Sequence, residues 1–226
     1  MPSSPVADHR ARTGRHARSD TAVSLAQGKL LALILAVGFV VIGCGNGPPP
    51  RLYVLESAEV PLPGPATETV FDALGISSIT LPGYARDARV ATRDADRRVR
   101  IDDSLRWAED PDEAITRSFA ARLRQHAGGV VLVEPWPRDF APAARIEIDF
   151  DRLLREPSGG VDAAGQVRLL SGDGRTVLDV LSFRIERAAE GGDPSAWFGA
   201  VAALLDDLAR TAVDALEERL GSRPAT

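Results

Sequence analysis

The stretch Ala144–Leu154 alternates cleanly, with Ile146, Ile148 and Phe150 on one side and Arg145, Glu147, Asp149 and Asp151 on the other. Successive side chains point to opposite faces of a pleated strand, so this reads as a strand with one buried face. Upstream, Leu52–Leu55 is a short apolar strand, and Val60–Thr69 is a Pro-rich loop. Phe71–Leu81 reads as a strand stopped by Pro82-Gly83, since both residues break a regular ladder. Arg89–Arg93 and Val99–Asp103 bracket the polar turn Asp94–Arg98 and suggest a hairpin. A helix opens at Pro111, with Asp112 and Glu113 in its first turn where the dipole favours acids. Ala114, Ile115, Phe119 and Leu123, with the stem of Arg122, line one face, and Gly128-Gly129 ends it. Val130–Val133 is a continuously apolar strand closed by Glu134-Pro135-Trp136-Pro137. Gln166–Leu170 and Thr176–Arg187 form a hairpin around Ser171-Gly172-Asp173-Gly174, an Asp-Gly turn signal. Pro194–Leu220 carries Trp197, Val201, Leu204, Leu205, Leu208, Ala212, Ala215 and Leu216 near i, i+3, i+4 spacing, the mark of an amphipathic helix. Hairpin-joined strands and two long helices predict an α+β fold, a mostly antiparallel sheet with the two helices packed on one face.

A different pattern precedes this domain. Leu30–Ile42 is an unbroken apolar run that ends in Val41-Ile42-Gly43-Cys44. It is too short to span a bilayer, which takes about 20 residues, but it suits the apolar core of an export signal, roughly 7–15 residues. Hydrophobic–x–small–Cys is the bacterial lipobox, in which the thiol is acylated and Cys becomes the first residue of the processed chain. Cys44, the single cysteine of the 226-residue sequence, is therefore the expected lipidation site rather than a core thiol. Arg10, Arg12, Arg15, Arg18 and Lys29 give the segment before it the positive bias of a signal, although it is long; a start at Val23 would make a compact one. The reading is residues 1–43 as a removed signal peptide, 44–51 as a lipidated tether built on Pro48-Pro49-Pro50, 52–221 as one domain and 222–226 as a tail.

Removing the signal sharpens the charge balance. The whole chain is −5 with 27 basic and 32 acidic residues, and five of the basic and two of the acidic ones precede Cys44. What remains is near −8 and contains no lysine. That excludes nucleic-acid capture, which depends on many Lys/Arg–phosphate contacts, and leaves membrane attachment to the lipid on Cys44. Catalytic chemistry is equally sparse. His126 is the one histidine beyond the signal, at the end of the first predicted helix where a cation suits the dipole. No clustered zinc ligands, Gly-x-Ser-x-Gly elbow, Walker loop or dinucleotide fingerprint occurs, and Asp102-Asp103 and Asp206-Asp207 read as solvated pairs. The expectation is a protein that is not an enzyme and takes no cofactor.

Ile79-Thr80-Leu81-Pro82-Gly83-Tyr84, Arg89-Val90-Ala91-Thr92-Arg93, Arg106-Trp107-Ala108-Glu109 before Pro111, Ile115-Thr116-Arg117 and Pro135-Trp136 follow in order behind the lipobox. Together they resemble the PqiC-type ABC-type transport auxiliary lipoproteins across Leu52–Leu220, with Ala85 and Asp110 departing from the family run. The resemblance implies an outer-membrane lipoprotein on the periplasmic face, an accessory subunit of an MCE-type intermembrane lipid transporter that supports membrane integrity. Its implied partners are a PqiB-like MCE-domain protein and the associated inner-membrane permease. A homo-oligomeric ring would suit that role, though no periodicity in the chain reports one. Gly45 stands where an inner-membrane retention signal would place Asp. The alternative is a periplasmic carrier that itself shields an acyl chain in a cavity between the sheet and the last helix. Trp107 and Trp136, in Pro-flanked loop-like settings, are candidate interface anchors, with a core role as the competing reading. Arg97, Arg98 and Arg100 read as a solvated turn rather than a headgroup site.

Overall fold

In the computed structural model, residues 49–55, 69–191 and 193–221 are described. They form β1 (Arg51–Tyr53), β2 (Ala73–Thr80), a 3-10 turn (Gly83–Arg86), β3 (Arg89–Arg93), β4 (Val99–Trp107), α1 (Pro111–Ala127), β5 (Val130–Val133), β6 (Ala144–Arg155), β7 (Val161–Ser171), β8 (Val177–Arg187) and α2 (Ala196–Gly221). The signal segment, Cys44, most of the tether, residues 60–68 of the Pro-rich loop and the 222–226 tail lie outside the described residues.

Local chemistry sets the first helix. Asp110 caps α1, its carboxylate accepting from the backbone N–H groups of Asp112 at 2.9 Å and Glu113 at 3.3 Å, and Pro111 supplies the preset first turn. Gly128 ends it in the left-handed region, φ 75°, and donates back to the Arg124 carbonyl. Gly129 must be glycine for another reason: a Cβ there would lie 1.9 Å from the Phe71 carbonyl oxygen. The backbone N–H groups of Val70 and Phe71 in turn donate to the Ala127 carbonyl, which locks the end of α1 against the start of β2.

The sheet is built around β6. β7 runs antiparallel along one whole edge and carries β8 antiparallel on its far side. Along the other edge β2 and then β3 lie end to end, both parallel to β6. β2 carries β5 in parallel, β3 pairs antiparallel with β4, and β4 carries β1 in parallel. The longest ladders are antiparallel, as the hairpin signals predict, but the sheet is mixed. Its class is α+β, with both helices against the sheet. The core fills the space between them: Ile146, Ile148, Phe150, Ala163, Val167 and Leu169 from the sheet meet Ile115, Phe119 and Leu123 of α1 and Val201, Leu204, Leu205 and Leu208 of α2. Each larger side chain buried in this way contributes about 1.5–3 kcal/mol.

Candidate functional site

The two tryptophans singled out by sequence part company. β4 continues past Asp103 to Trp107, whose backbone N–H donates to the Ala88 carbonyl at 2.7 Å. The Trp107 ring is 4% exposed and stands edge-on to Trp197 at 5.6 Å and to Phe198 at 4.9 Å, while Phe198 stacks on Tyr53 at 5.1 Å. Trp107 is therefore a core residue and not an interface anchor. The Pro-flanked sequence suggests a loop, but β1 pairs with Leu105–Trp107 and extends the strand inward.

Trp136 lies on the other side of the sheet. It is half-buried, 5.5 Å from Phe140, with the Arg145 guanidinium carbon 5.2 Å from its ring centre. Its ring covers Gly75 so closely that a Cβ at that position would meet it at 2.9 Å. Gly75 alternates with the core residues Leu74 and Ile76, so Trp136 covers the face opposite the helices. Arg145 holds the arrangement by donating from Nε to the Gly172 carbonyl at 2.7 Å. On the strands flanking this spot, Val130, Val177 and Val180 are exposed.

The charged residues are organised as ties between elements. His126 Nε2 lies 3.0 Å from Asp206 Oδ1, joining α1 to α2. Asp207 pairs with Arg187 and Arg210, so the Asp206-Asp207 pair is not simply solvated, whereas Asp103 is largely exposed and meets Arg89 and Arg106 at the surface. Glu109 meets Arg117 through both oxygens at 2.5 Å, and that guanidinium holds its carboxyl below the usual range. On the helix-free face Asp162, 1% exposed, lies 2.7 Å from Arg93 Nη2 and 2.8 Å from Arg152 Nε. Sequence reasoning missed this group, for a lone Asp in a strand carries no pattern of its own. Beside it, burial raises the Tyr84 phenol above its ordinary value, and Tyr84 Oη accepts from the Leu153 N–H at 3.4 Å.

Concavities open on the described residues, among them a polar one of about 290 Å³ lined by Arg93, Glu156, Gly160 and Arg187. A shallow groove of about 630 Å³ runs along α1, floored by Thr116, Ala120, Ala121 and Val133 between Arg117 and Arg124. A smaller crevice of about 240 Å³ lies between β1 and the start of α2. Among the described residues no three His, Cys, Asp or Glu side chains are placed to share a metal ion, and no helix is long and apolar enough to cross a membrane.

A mixed-sheet α+β domain whose elements are tied together by ion pairs is the class these features define. The family described as ABC-type transport auxiliary lipoprotein component matches residues 53–213, and the chain belongs to that family. The fold agrees. A crystal structure of an uncharacterized protein shares it at TM-score 0.60 and 15% identity, over 74% of this chain and 98% of that one. A DUF330 protein from Xanthomonas campestris matches at TM-score 0.58 and 14% identity, over 76% and 100%. A PelC dodecamer from Paraburkholderia phytofirmans matches at TM-score 0.39 and 13% identity, over 69% and 94%. Among proteins of curated function, none matches the chain in sequence.

Proposed function

We propose that the protein is an outer-membrane lipoprotein, acylated with palmitate-type chains on Cys44, that serves as the periplasm-facing docking subunit of an MCE-type intermembrane lipid transporter. The observation that carries this reading is the family match over 53–213, placed directly behind the lipobox ending in Cys44. In this reading the lipid fixes one end, the Pro-rich tether sets the distance, and the folded domain binds a protein without catalysing a reaction. The space beneath α2 supports docking over acyl-chain shielding, since Val201, Leu204, Leu205 and Leu208 are each at most 4% exposed there. Partners in this reading are the MCE-domain protein and, through it, the inner-membrane permease.

Cys44→Ser is expected to leave the protein outside the outer-membrane fraction and to sensitise cells to detergent. Unchanged outer-membrane fractionation with full detergent resistance would remove the anchor from the account. Trp136, partly exposed and cation-backed, is the contact proposed for the partner. Trp136→Ala is expected to lower stability by only about 1 kcal/mol, yet to reduce crosslinking to the MCE protein several-fold. Undiminished crosslinking in a folded Trp136→Ala protein would place the interface elsewhere.

A further inference from the structure

We propose that the β1 edge is a bilayer-contacting surface that sets the orientation of the domain on its membrane. Leu52 is 64% exposed and Val54 61%, the highest values among the exposed large hydrophobic side chains of the described residues. They alternate with Tyr53, which stacks on Phe198, and with Leu55, which is in the core, so both point to the same outer side. Burial of their neighbours fixes the strand, and two aliphatic side chains are left in water. The crevice lined by Tyr53, Val54, Ser195, Phe198, Gly199 and Ala202 continues this apolar surface toward α2. Arg51 is exposed at the head of the strand, and the Asp193 carboxylate, which accepts from the Ser195 N–H at 2.7 Å ahead of α2, lies within its electrostatic reach. Exposed aliphatic side chains with charged groups at their border match the layered chemistry of headgroups over acyl chains.

Covalent reach selects lipid as the occupant. Seven residue steps separate Cys44 from Arg51, at most roughly 25 Å of extended chain. The inference rests on the proposed acylation of Cys44, which would tie this edge more closely to the bilayer than the rest of the domain. β1 pairs with Leu105–Trp107 of β4 at one edge of the sheet, whereas Val180 lies on β8 at the opposite edge, with β4, β3, β6 and β7 between them. With the β1 edge on lipid, the β8 edge faces away from the bilayer.

Because the native cysteine is consumed by the anchor, a single introduced cysteine reports one position. Leu52→Cys, Val54→Cys and, as a remote control, Val180→Cys are labelled with an environment-sensitive fluorophore in the acylated, full-length lipoprotein. Each is then floated on phosphatidylethanolamine–phosphatidylglycerol vesicles with or without a nitroxide-bearing lipid. Side chains seated about 5–10 Å into the interface should lose more than about half their emission to the nitroxide at 52 and 54 and almost none at 180. Equal, weak quenching at all three positions on protein that floats overturns the contact while leaving the anchor standing. Shielding of 52 and 54 from aqueous iodide without nitroxide quenching assigns the edge to a protein neighbour and also overturns it. Failure of the unlabelled wild-type protein to float removes the anchor, and the orientation falls with it.

Discussion

Trp107→Ala is expected to destabilise the domain by about 3–5 kcal/mol, the range for deleting a buried aromatic ring and leaving a cavity. For a domain of this size that corresponds to a fall in Tm of roughly 10 °C. The loss is large because Trp107 makes edge contacts with both Trp197 and Phe198, and Phe198 in turn stacks on Tyr53. One ring thus joins β4, α2 and β1. β1 has only three paired residues, Arg51 to Tyr53, so its seat depends on this aromatic packing as much as on its ladder. Thermal unfolding followed by near-ultraviolet circular dichroism should show loss of the aromatic signal together with the lowered Tm. Limited proteolysis should cut the segment containing β1 earlier than in the wild type. A change within about 0.5 kcal/mol, the scale of a surface substitution, would contradict the packing described.

The contrast between the two tryptophans shows where sequence reading reaches and where it stops. Local signals are strong here: Asp110-Pro111 and Gly128 bound α1 as cap chemistry requires, the Asp94–Arg98 and Ser171–Gly174 turns sit between paired strands, and the alternation of Ala144–Leu154 is that of β6. What escapes is non-local. The placement of β2 between β5 and β6, all parallel, joins segments far apart in sequence, and no turn residue marks it. β7 begins at Val161, five residues before the Gln166 start that the sequence signals, because Asp162-Ala163-Ala164-Gly165 carries no branched or aromatic residue to mark a strand. Gly165 is needed in that position all the same: a Cβ would sit 2.1 Å from the Asp149 carbonyl oxygen on the neighbouring strand. Trp107 reads as a loop residue only while β1 is not known to pair beside it. Of the candidate functional residues, Cys44 is singled out only by its position after an apolar run and lies outside the described residues, whereas the seating of Trp136 over Gly75 requires the three-dimensional sheet.

Asp162→Ala should produce the second large effect, a loss of about 3 kcal/mol, the lower end of the range for removing one partner of a buried charge group. Asp162 comes from β7, Arg152 from β6 and Arg93 from β3, and Arg93 also approaches Glu156 at 3.2 Å. The carboxylate oxygens of Asp162 accept no aligned hydrogen bond from protein atoms, so the two contacts act chiefly through charge. Deleting the carboxylate leaves two guanidiniums facing each other across a partly dehydrated space. Both arginines are 26% exposed, so water recovers part of their solvation, which sets the expected value at the low end. The position magnifies the consequence. β3 meets β6 at a single register pair, Thr92 with Arg155, so the Arg93–Asp162–Arg152 contact is a principal tie between the β1–β4–β3 part of the sheet and the rest. Urea unfolding should therefore show a lower midpoint for Asp162→Ala, and native-state hydrogen exchange should quicken in β3 and β4 before it does in β8. Replacing Arg93 and Arg152 by Met together with Asp162→Leu should recover most of the lost stability, because the cost arises from unpaired charge and not from the missing atoms. If the triple replacement is no more stable than Asp162→Ala, the charge account is wrong and packing at β7 is the cause.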